Sequence, residues 1–466
     1  MKNILSTALL ALAILPVSAK EKPNFIIFLV DDMGWADVGY NGTTYYQTPH
    51  IDQMAKEGMV FTNAYANAAN CAPTRACLLS GLYPSRHGVY TVGNPARGKA
   101  SQRKLIPTPN NTTLASNFTT IAEAMKTNGY ATYHIGKWHL GDTQATLPEG
   151  QGFDVNIGGN HHGHPKTYFS PYKNPQLKDG EKGEYLTDRL TTEACHLIEQ
   201  SAGKPFFMYF AHYAVHTPIQ APAELTAKYK NKTPYNKQDN ATYAAMVEKT
   251  DDSLGRILNK LRELNLDKNT YVIFFSDNGG HGGITDQTPL RGSKGTLYEG
   301  GFREPMIVWA PGKVAANSQN NTPVMGFDFF PTLVELAGDK PEKYKLDGES
   351  ITPLLAGKNQ LKRDAIFWHF PAYLEGYRGI KYPEDLTRGF RAVPSSAMRK
   401  GDWKLIENFE DGSLQLFNLK EDLNEQHNLA QSHPKKAKKL LKELRKWRAK
   451  TKSPVPTKLN PKYQEQ

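Results

Sequence analysis

Five short and almost continuously apolar runs, separated by amphipathic stretches, constrain the fold of this chain more than any other feature. They are NFIIFLV (24–30), ATYHI (131–135), PFFMYFA (205–211), TYVIFFS (270–276) and PMIVWA (305–310). Successive apolar residues leave no polar face for solvent, so these runs predict strands of a parallel sheet that is covered on both faces. Helical patterns lie between them, at 117–129, where Gly129 supplies a stop, and at 241–265. The alternation predicts an α/β fold, with a large, mostly parallel sheet flanked by helices.

The pattern changes after about residue 355. Three segments predict short antiparallel strands before a basic terminal helix: AIFWHF (365–370), SAMRKGDWKLIEN (396–408) and SLQLFNL (413–419). At 466 residues the chain is long enough for one large domain and a smaller one. We therefore predict a larger domain at 20–355 and a smaller C-terminal α+β subdomain at 356–466.

The first nineteen residues have the order of a secretory signal. Lys2 precedes an apolar run that ends in Val17-Ser18-Ala19. This order predicts a signal peptide at 1–19, cleaved near Ala19, rather than a membrane span. We therefore expect an exported protein, periplasmic or secreted and not bound to a membrane. The lysine-rich composition and the short signal favour a bacterial source.

The formal net charge of +11 is concentrated at the C-terminal end. Residues 431–466 contain twelve Lys and Arg residues against Glu443 and Glu465, so the rest of the chain is close to neutral. Four apolar residues of this segment fall on one helical stripe: Leu440, Leu441, Leu444 and Trp447. The pattern predicts a docked terminal helix with a solvated basic face, and we expect no nucleic-acid partner. A basic nucleic-acid binder is the alternative interpretation of this helix.

The chain has only three cysteines, an odd number and too few for a fold held together by disulfides. Cys71 and Cys77 lie six residues apart in NCAPTRACLLSG (70–81), which predicts a short helix with Pro73 in its first turn. A helix would hold the two thiols too far apart for a disulfide, and the motif lacks the spacing of a zinc site. Cys71 would lie at the helix N-terminus, where the dipole favours an anion and lowers the pKa of a thiol. Arg75 can reach back to the same place.

Two of the predicted strands end in the same kind of acidic turn. NFIIFLV is followed by Asp31 and Asp32, and TYVIFFS is followed by Asp277 and Asn278. Ligands of an open parallel sheet gather beyond the carboxyl ends of its strands, so we expect these side chains to meet. Their oxygen atoms suit a hard cation such as Ca²⁺ or Mg²⁺ better than zinc. The alternative is that Asp and Asn beside glycine only form turns.

Basic and imidazole side chains follow other predicted strands. Lys137 and His139 in YHIGKWHLG point the same way if the segment is extended, which suits stabilising and protonating an anionic leaving group. His212 and His216 follow another strand, and Lys294 lies in a glycine-rich segment of the kind that cradles anions. Each of these residues taken singly is also compatible with a surface lysine or a structural histidine.

Taken together, these segments resemble the type I, formylglycine-dependent sulfatases of the alkaline-phosphatase-like superfamily. CAPTRACLLSG matches the family signature Cys-x-Pro-x-Arg, although its tail ends in Ser80-Gly81 where the family has Thr-Gly. Four further segments resemble the other family blocks, in the family's order: NFIIFLVDDMGWADVGYNG, GKWHLG, FFSDNGG and SKGTLYEGGFREPMIVWAPG. The resemblance extends over most of residues 22–460. It implies a sulfuric ester hydrolase with an alkaline-phosphatase-like fold and a small C-terminal sheet.

In this family the signature cysteine is oxidised to formylglycine, an aldehyde that carries water as a geminal diol. The resemblance implies that a maturation enzyme converts Cys71 in this way. One hydroxyl of the hydrate would attack sulfur and release the alcohol, and the second would drive elimination of sulfate. Asp31, Asp32, Asp277 and Asn278 match the family's ligands for one Ca²⁺ ion, with formylglycine at the Cys71 position as a further ligand.

The same resemblance implies roles for the basic residues. Arg75 and Lys137 match residues that hold the formylglycine and the sulfate, and Lys294 matches the last sulfate clamp. His139 matches the histidine beside the hydrate that assists elimination. His216 matches the proton donor to the leaving oxygen.

Two segments are candidates for substrate recognition. GGNHHGHPKTYFSPY (158–172) lies where similar enzymes place substrate contacts, and its candidate residues are His161, His162 and His164. A metal site made by these three histidines is the less favoured interpretation, because no carboxylate is placed to orient them. His369 in FWHFPAY is a second candidate, with a core aromatic cluster as the alternative.

Export and these polar, aromatic loops favour a sulfated carbohydrate, either a polysaccharide or an oligosaccharide, as the substrate. The alternatives are an arylsulfatase of small substrates and a phosphatase or phosphonate hydrolase of the same superfamily. A non-catalytic sugar-binding protein is disfavoured, because every position that the chemistry needs is filled.

Overall fold

The computed structural model describes residues 21–201, 203–377 and 389–465. The predicted signal peptide at 1–19 lies outside these residues. Within them, no helix is both long enough and apolar enough to cross a bilayer. Helices cover both faces of a large mixed sheet, and a smaller antiparallel sheet lies near the C-terminus.

The structure contains the following elements in chain order. The strands are β1 (Asn24–Val30), β2 (Met59–Phe61), β3 (Ala64–Tyr65), β4 (Ala131–Gly136), β5 (Val155–Ile157), β6 (Phe206–Ala211), β7 (Thr270–Ser276), β8 (Met306–Trp309), β9 (Ser318–Asn320), β10 (Val324–Met325), β11 (Ala365–Phe370), β12 (Leu374–Glu375), β13 (Phe390–Ala392), β14 (Ser395–Lys400), β15 (Trp403–Asn408) and β16 (Leu414–Asn418). The helices are α1 (Pro49–Glu57), α2 (Cys71–Ser80), α3 (Pro84–His87), α4 (Ile121–Thr127), α5 (Leu186–Gln200), α6 (Ala223–Lys230), α7 (Ala241–Glu263), α8 (Glu299–Phe302), α9 (Phe329–Leu336), α10 (Thr352–Leu355) and α11 (Pro434–Thr451).

Among the described residues, eight strands form the main sheet in the order β5-β4-β6-β1-β7-β8-β2-β9. All five predicted apolar runs lie in it, as β4, β6, β1, β7 and β8. β1 runs parallel to β6 and β7, and β4 runs parallel to β6. β8 differs, because it is antiparallel to both β7 and β2. A run of apolar residues carries no sign of strand direction, but the predicted α/β fold with a mostly parallel sheet is confirmed.

The continuous apolar character of β1 follows from its central position. Alternate residues beginning with Phe25 belong to the apolar cluster that includes residues of α2, α4 and α9. The intervening residues, beginning with Ile26, belong to the cluster that includes residues of α1, α5 and α7. Because side chains of a strand alternate between the two faces, both sets must be apolar when both faces are covered.

The two predicted helices begin at defined caps. At the start of α4, the Thr120 side chain accepts a hydrogen bond from the Glu123 amide, and the Glu123 carboxylate accepts one from the Thr120 amide. This capping box satisfies two amides that a helix start leaves unpaired. Asn240 caps α7 by accepting a hydrogen bond from the Tyr243 amide. Gly129, the predicted stop, follows α4 with a φ of 80°, in the left-handed region that favours glycine.

The smaller sheet lies in the C-terminal part of the chain. β11, β14, β15 and β16 are antiparallel, as expected from the change of pattern after residue 355. The side chains of Leu440, Leu444 and Trp447 on α11 are buried in the apolar cluster of this part, and Leu441 packs at its margin. The predicted docking of the terminal helix through its apolar stripe is therefore confirmed.

Candidate active site

The two acidic turns meet at the carboxyl edge of the main sheet. β1 and β7 pair in parallel and end at the same level, which places Asp31 and Asp32 beside Asp277 and Asn278. The Asp32 amide donates to Oδ1 of Asp277 at 3.3 Å, and Nδ2 of Asn278 donates to Oδ1 of Asp32 at 2.8 Å. All these side chains are buried. The predicted convergence of the two turns is therefore confirmed.

Two residues at this edge hold a backbone conformation that residues other than glycine rarely adopt. Asp32 and His139 both have a φ of 65°. Such a conformation costs on the order of 1–3 kcal/mol and persists only where the surrounding structure imposes it, most often at functional sites. In this conformation the two side chains reach Lys294 and Cys71, respectively.

Cys71 is the first residue of α2 and only 2% exposed. Its Sγ lies 3.5 Å from Nδ1 of His139. Burial raises the pKa of the Cys71 thiol, although Lys137 and Lys294 oppose this effect. The expected lowering of this pKa at the helix N-terminus is therefore wrong, because the lost hydration of a thiolate outweighs the field of the helix. Unmodified Cys71 is a protonated thiol at neutral pH and a poor nucleophile.

Cys77 and His212, which the sequence also singles out, pack inside the protein. No cysteine of the described residues forms a disulfide: Cys71, Cys77 and Cys195 are free thiols. Cys77 is buried in α2, with Sγ at 3.4 Å from Nε2 of His87, as a packed thiol. His212, for which the resemblance implies no role, is buried with Nε2 at 2.9 Å from Oγ of Ser253.

Arg75 links the acidic turns to the segment after β4. Its Nε donates to Oδ2 of Asp277 at 2.9 Å, and its Nη1 donates to the carbonyl oxygen of Lys137 at 2.9 Å. Nη2 lies 2.8 Å from Oδ2 of Asp277 and 3.9 Å from Oδ1 of Asp31. Burial opposes the charge of this guanidinium, but Asp277 and Asp31 outweigh burial and raise the pKa of Arg75. Arg75 therefore stays charged inside the site.

Two lysines pair with the aspartates of the first turn. Nζ of Lys137 lies 2.6 Å from Oδ2 of Asp31, and Nζ of Lys294 lies 2.6 and 2.8 Å from the two oxygens of Asp32. Burial alone would raise the pKa of Asp32, but ion pairing with Lys294 outweighs it and holds that pKa below its usual range. Burial and the nearby Asp277 instead raise the pKa of Asp31 to about 8, despite Lys137. Of the two carboxylates, Asp31 is therefore the one that would gain more from a further positive charge beside it.

The acidic turns retain oxygen atoms that nothing in the described residues satisfies. Oδ1 of Asp31 and Oδ1 of Asn278 are buried without a hydrogen-bond partner there. Ligand atoms of Asp31, Cys71 and Asp277 also lie within 4.8 Å of one another. Buried acceptors left unpaired are costly, and a hard cation with oxygen ligands would satisfy them. The residues present therefore fit a Ca²⁺ or Mg²⁺ ion.

His216 lies beside the same turn with one nitrogen able to exchange a proton. Its Nδ1 is 2.8 Å from the carbonyl oxygen of Thr217, which can only accept, so Nδ1 carries a proton. Its Nε2 lies 3.6 Å from Oδ2 of Asp32. Burial lowers the pKa of His216 well below its usual range, against the opposing effect of Asp32. The neutral ring therefore has an unprotonated Nε2, which can deliver a proton to a bound substrate only after the ring has gained one.

The histidine-rich segment 158–172 reaches this site. A Cβ added at Gly163 would lie 2.5 Å from the ring of His139, so the segment packs directly on that ring. The rings of His164 and His216 are stacked, with centroids 6.1 Å apart and planes 8° from parallel. The structure therefore brings part of the predicted recognition segment beside two of the predicted catalytic residues.

The remaining candidates for substrate contact have different environments. His161 is exposed, and its ring centroid lies 4.0 Å from that of His162. His369 is 3% exposed, with Nδ1 at 2.8 Å from Oγ of Ser396 and Nε2 at 2.9 Å from the carbonyl oxygen of Pro454. Because both ring nitrogens are engaged inside the protein, the structure favours the core alternative for His369 over contact with a substrate.

Sequence reasoning missed two side chains at the edge of the site. His281 follows the second acidic turn closely, so its short distance along the chain from Asp277 is a usable signal. Arg391 lies on β13, far from the other site residues in sequence, and nothing in its local sequence distinguishes it. Only the fold brings it to the loop that carries Lys294, where a Cβ added at Gly295 would lie 2.5 Å from its Nε.

Comparison with known proteins identifies the family of the chain. The family model described as Sulfatase matches residues 23–339, and that described as N-sulphoglucosamine sulphohydrolase, C-terminal, matches residues 293–452. A sulfatase of Formosa agariphila is 35% identical over 540 residues, covering 97% of this chain and 93% of that protein. The N-acetylgalactosamine-6-sulfatase of Mus musculus is 34% identical over 391 residues, covering 77% of this chain and 71% of that protein.

Comparison with solved structures also finds a similar protein. The crystal structure of Ps i-CgsB in complex with k-i-k-neocarrahexaose superposes with a TM-score of 0.75 at 32% identity, covering 92% of this chain and 93% of that one. One family model spans more than half of the chain, and a relative matches nearly all of it. The chain therefore belongs to the sulfatase family and is a sulfuric ester hydrolase.

Proposed function

We propose that this protein hydrolyses sulfate esters of a sulfated carbohydrate, with formylglycine made from Cys71 and with one Ca²⁺ ion. The observation that carries the proposal is the position of Cys71. Its Sγ lies 3.5 Å from His139, and it offers a ligand atom within 4.8 Å of those of Asp31 and Asp277. A buried thiol with a raised pKa is a poor nucleophile at this point, whereas an oxygen-bearing group there would face both the metal ligands and a proton acceptor.

The proposed modification replaces the CH₂SH group of Cys71 by an aldehyde, which a maturation enzyme introduces. When hydrated, this aldehyde supplies one hydroxyl for attack on sulfur and a second for the elimination of sulfate. Nδ1 of His139 is the protein atom placed to accept the proton of the second hydroxyl, because it lies 3.5 Å from Sγ of Cys71. Burial lowers the pKa of His139 well below its usual range, so the ring is neutral before it acts, and Nδ1 can accept in the tautomer that carries its proton on Nε2.

One Ca²⁺ ion would be held by Asp31, Asp32, Asp277, Asn278 and the modified Cys71. Bound there, it supplies positive charge to the sulfate oxygens and to the hydroxyl of the modified residue. Two oxygen atoms without a hydrogen-bond partner among the described residues, on Asp31 and Asn278, support this set of ligands.

The lysines and arginine of the chain provide fixed positive charge for the sulfate. The ammonium groups of Lys137 and Lys294 are held at 2.6 Å from Asp31 and Asp32, at the turns where the sulfate would bind. Charge that is positioned before the substrate arrives stabilises negative charge developing on the sulfate oxygens. Arg75 positions Lys137 by its hydrogen bond to that residue's carbonyl oxygen.

His216 is the proposed acid for the leaving alcohol. Its Nδ1 is committed to the carbonyl oxygen of Thr217, so Nε2 is the atom that delivers a proton to the leaving oxygen. The Asp32 carboxylate, 3.6 Å from Nε2, opposes the effect of burial on the pKa of His216 and so favours the protonated ring, which is the form that must be present when Nε2 gives up its proton.

A carbohydrate substrate is supported by the surroundings of the site and by the relatives. Segment 158–172 packs on His139 and His216, and it offers polar and aromatic side chains, including His161, His162 and His164, for a sugar ring. The relative from Mus musculus is named for a sulfated sugar, and the structure of Ps i-CgsB contains a saccharide. We also propose that the protein is exported, from the signal at 1–19.

A panel of saccharides with sulfate at defined positions tests the proposed function. We expect inorganic sulfate to be released from at least one member with a kcat/KM about 100-fold above that for 4-nitrophenyl sulfate, because sugar contacts add to those of the sulfate. The matched phosphate ester should be a much poorer substrate. Preference for the aryl sulfate would instead favour an arylsulfatase, and preference for the phosphate ester would favour a phosphatase of the same superfamily.

Calcium should stabilise the protein. At a hundredfold excess over its Kd, an ion that binds only the folded state adds about 2.7 kcal/mol to the free energy of unfolding. We therefore expect Tm to rise with added Ca²⁺ and to fall with a chelator, measured by differential scanning fluorimetry. Asp31→Asn should lose most of this response, whereas Asp267→Asn, outside the acidic turns, should keep it. A wild-type Tm that is independent of Ca²⁺ and of chelator contradicts the metal site.

A further inference from the structure

Arg391 is a buried cation that forms no ion pair with the described residues. The residue is 5% exposed, and within the described part of the chain its Nε has no hydrogen-bond partner. Glu375, on the strand paired with that of Arg391, instead accepts hydrogen bonds from Nε of Arg97 at 2.8 and 3.1 Å. Burial would raise the pKa of Glu375, but Arg97 and, more weakly, Arg391 lower it, so the charges of Arg391 and Glu375 act on each other. The Glu375 carboxylate is nevertheless hydrogen-bonded to Arg97 and does not pair with Arg391. Burying a charge that lacks a direct partner is costly, so Arg391 would gain from an anion supplied by a ligand.

The fold fixes the guanidinium of Arg391 against the loop that carries Lys294. The guanidinium carbon lies 4.0 Å from the ring centroid of Tyr377, in a cation–π contact. Nε also approaches Gly295 so closely that a Cβ there would lie 2.5 Å away. Gly295 also has a φ of 94°, which favours glycine. Arg391 is therefore held against Gly295, the residue that directly follows the proposed sulfate clamp Lys294 in the chain.

His281 and Tyr377 connect this guanidinium to the site. Their ring centroids lie 3.9 Å apart, and Oη of Tyr377 donates to the carbonyl oxygen of Lys294 at 3.4 Å. Burial lowers the pKa of His281 to about 4, with Lys294 and Arg391 adding to the effect and Asp32 opposing it. The imidazole is therefore neutral at neutral pH and adds no further positive charge beside Arg391. Both cations act on the His281 ring, so Arg391 and the sulfate clamp lie close to the same side chain.

We propose that Arg391, stacked on Tyr377, binds a second anionic group of the substrate, a sulfate or a carboxylate carried near the sulfate that is removed. This inference rests on the proposed carbohydrate function. The planar guanidinium donates parallel hydrogen bonds to an oxyanion, and it suits such a group better than a lysine does. Lys294 is already paired with Asp32, whereas Nε of Arg391 has no partner in the described residues. The site therefore selects saccharides with two negative groups over those with one.

Matched saccharides test this subsite. The probes are the best mono-sulfated saccharide of the panel above, the same saccharide with one further sulfate, and the same saccharide with a carboxylate on the adjoining sugar unit. The measured quantity is the ratio of kcat/KM for each doubly anionic probe to that for the mono-sulfated one. We expect wild-type protein to favour at least one doubly anionic probe by about 10–100-fold, as for a hydrogen bond to a charged group.

Variants at one position separate the subsite from the rest of the enzyme. Arg391→Gln should bring the ratio close to one, and Arg391→Lys should give an intermediate ratio because it keeps the charge and loses the planar fork. Arg256→Gln, an exposed residue of α7, should keep the wild-type ratio. The doubly anionic probe whose kcat/KM ratio falls in the Arg391 variants shows whether the bound group is a sulfate or a carboxylate.

The outcomes distinguish this inference from the proposed function. An equal ratio in wild type and in both Arg391 variants overturns the subsite and leaves the carbohydrate sulfatase function standing. Absence of sulfate release from every saccharide by the wild-type protein overturns both. If Arg391→Gln does not fold, as judged by its melting transition, the comparison of wild type with Arg391→Lys decides the question.

Discussion

Replacing Cys71 with alanine should lower the rate of sulfate release by about 10⁴-fold or more, the loss expected when the nucleophile of a covalent mechanism is removed. We expect so large a loss of turnover from this cysteine and from no other, because only Cys71 lies in the site. Cys71 begins α2 beside His139 and the acidic turns, and no other cysteine lies there. Sulfate release is measured under saturating substrate, so that a change in binding does not imitate the loss of chemistry.

Cys77→Ala is the matched control, because Cys77 is a buried thiol of the same helix and contacts His87 rather than the site. It should retain turnover near the wild-type value. Cys71→Ala should also still bind the sulfated saccharide, because the lysines and the acidic turns remain. Turnover of Cys71→Ala within tenfold of wild type would refute the assigned role of this residue.

The second large effect is expected at Lys294. Lys294→Ala should lower kcat/KM by about 10²–10³-fold, the usual result of removing one preorganised group that stabilises developing negative charge. The change also removes the ion pair that keeps Asp32 ionised, since Nζ lies 2.6 and 2.8 Å from the carboxylate oxygens. Steady-state kinetics on the best saccharide of the panel gives the measurement.

Lys268→Ala is the control for Lys294→Ala, because Lys268 is exposed and lies between α7 and β7, away from the acidic turns. It should leave kcat/KM unchanged. A melting transition for each variant excludes unfolding as the cause of a loss. If Lys294→Ala keeps kcat/KM within about threefold of wild type, Lys294 is not a sulfate clamp.

Local patterns in the sequence predict much of the fold. The strands at 24–30 and 270–276 form where expected, because a continuous apolar run is stable only between two covered faces. The antiparallel direction of β8 could not be predicted, since it depends on which edge of the sheet the chain reaches after α8. Direction is a property of the whole chain path and leaves no mark on six apolar residues.

The candidate site shows the same division between local and long-range information. Asp31-Asp32 and Asp277-Asn278 could be paired from the sequence, because both follow strands whose ends share one edge of the sheet. The raised pKa of the Cys71 thiol could not be predicted from the sequence, because it arises from burial by residues that are distant along the chain. The position of Arg391 beside the site could not be predicted either, because the segment that contains it meets the loop of Lys294 only in the folded protein.

Mass spectrometry of the peptide that contains residue 71 tests the central claim most directly. Trypsin releases this residue in the peptide from Glu57 to Arg75. Protein isolated in active form should contain a peptide lighter than the thiol form by the difference between H₂S and O, and this peptide should react with a hydrazide as an aldehyde does. Active protein in which Cys71 is found only as an unmodified thiol would contradict the formylglycine mechanism.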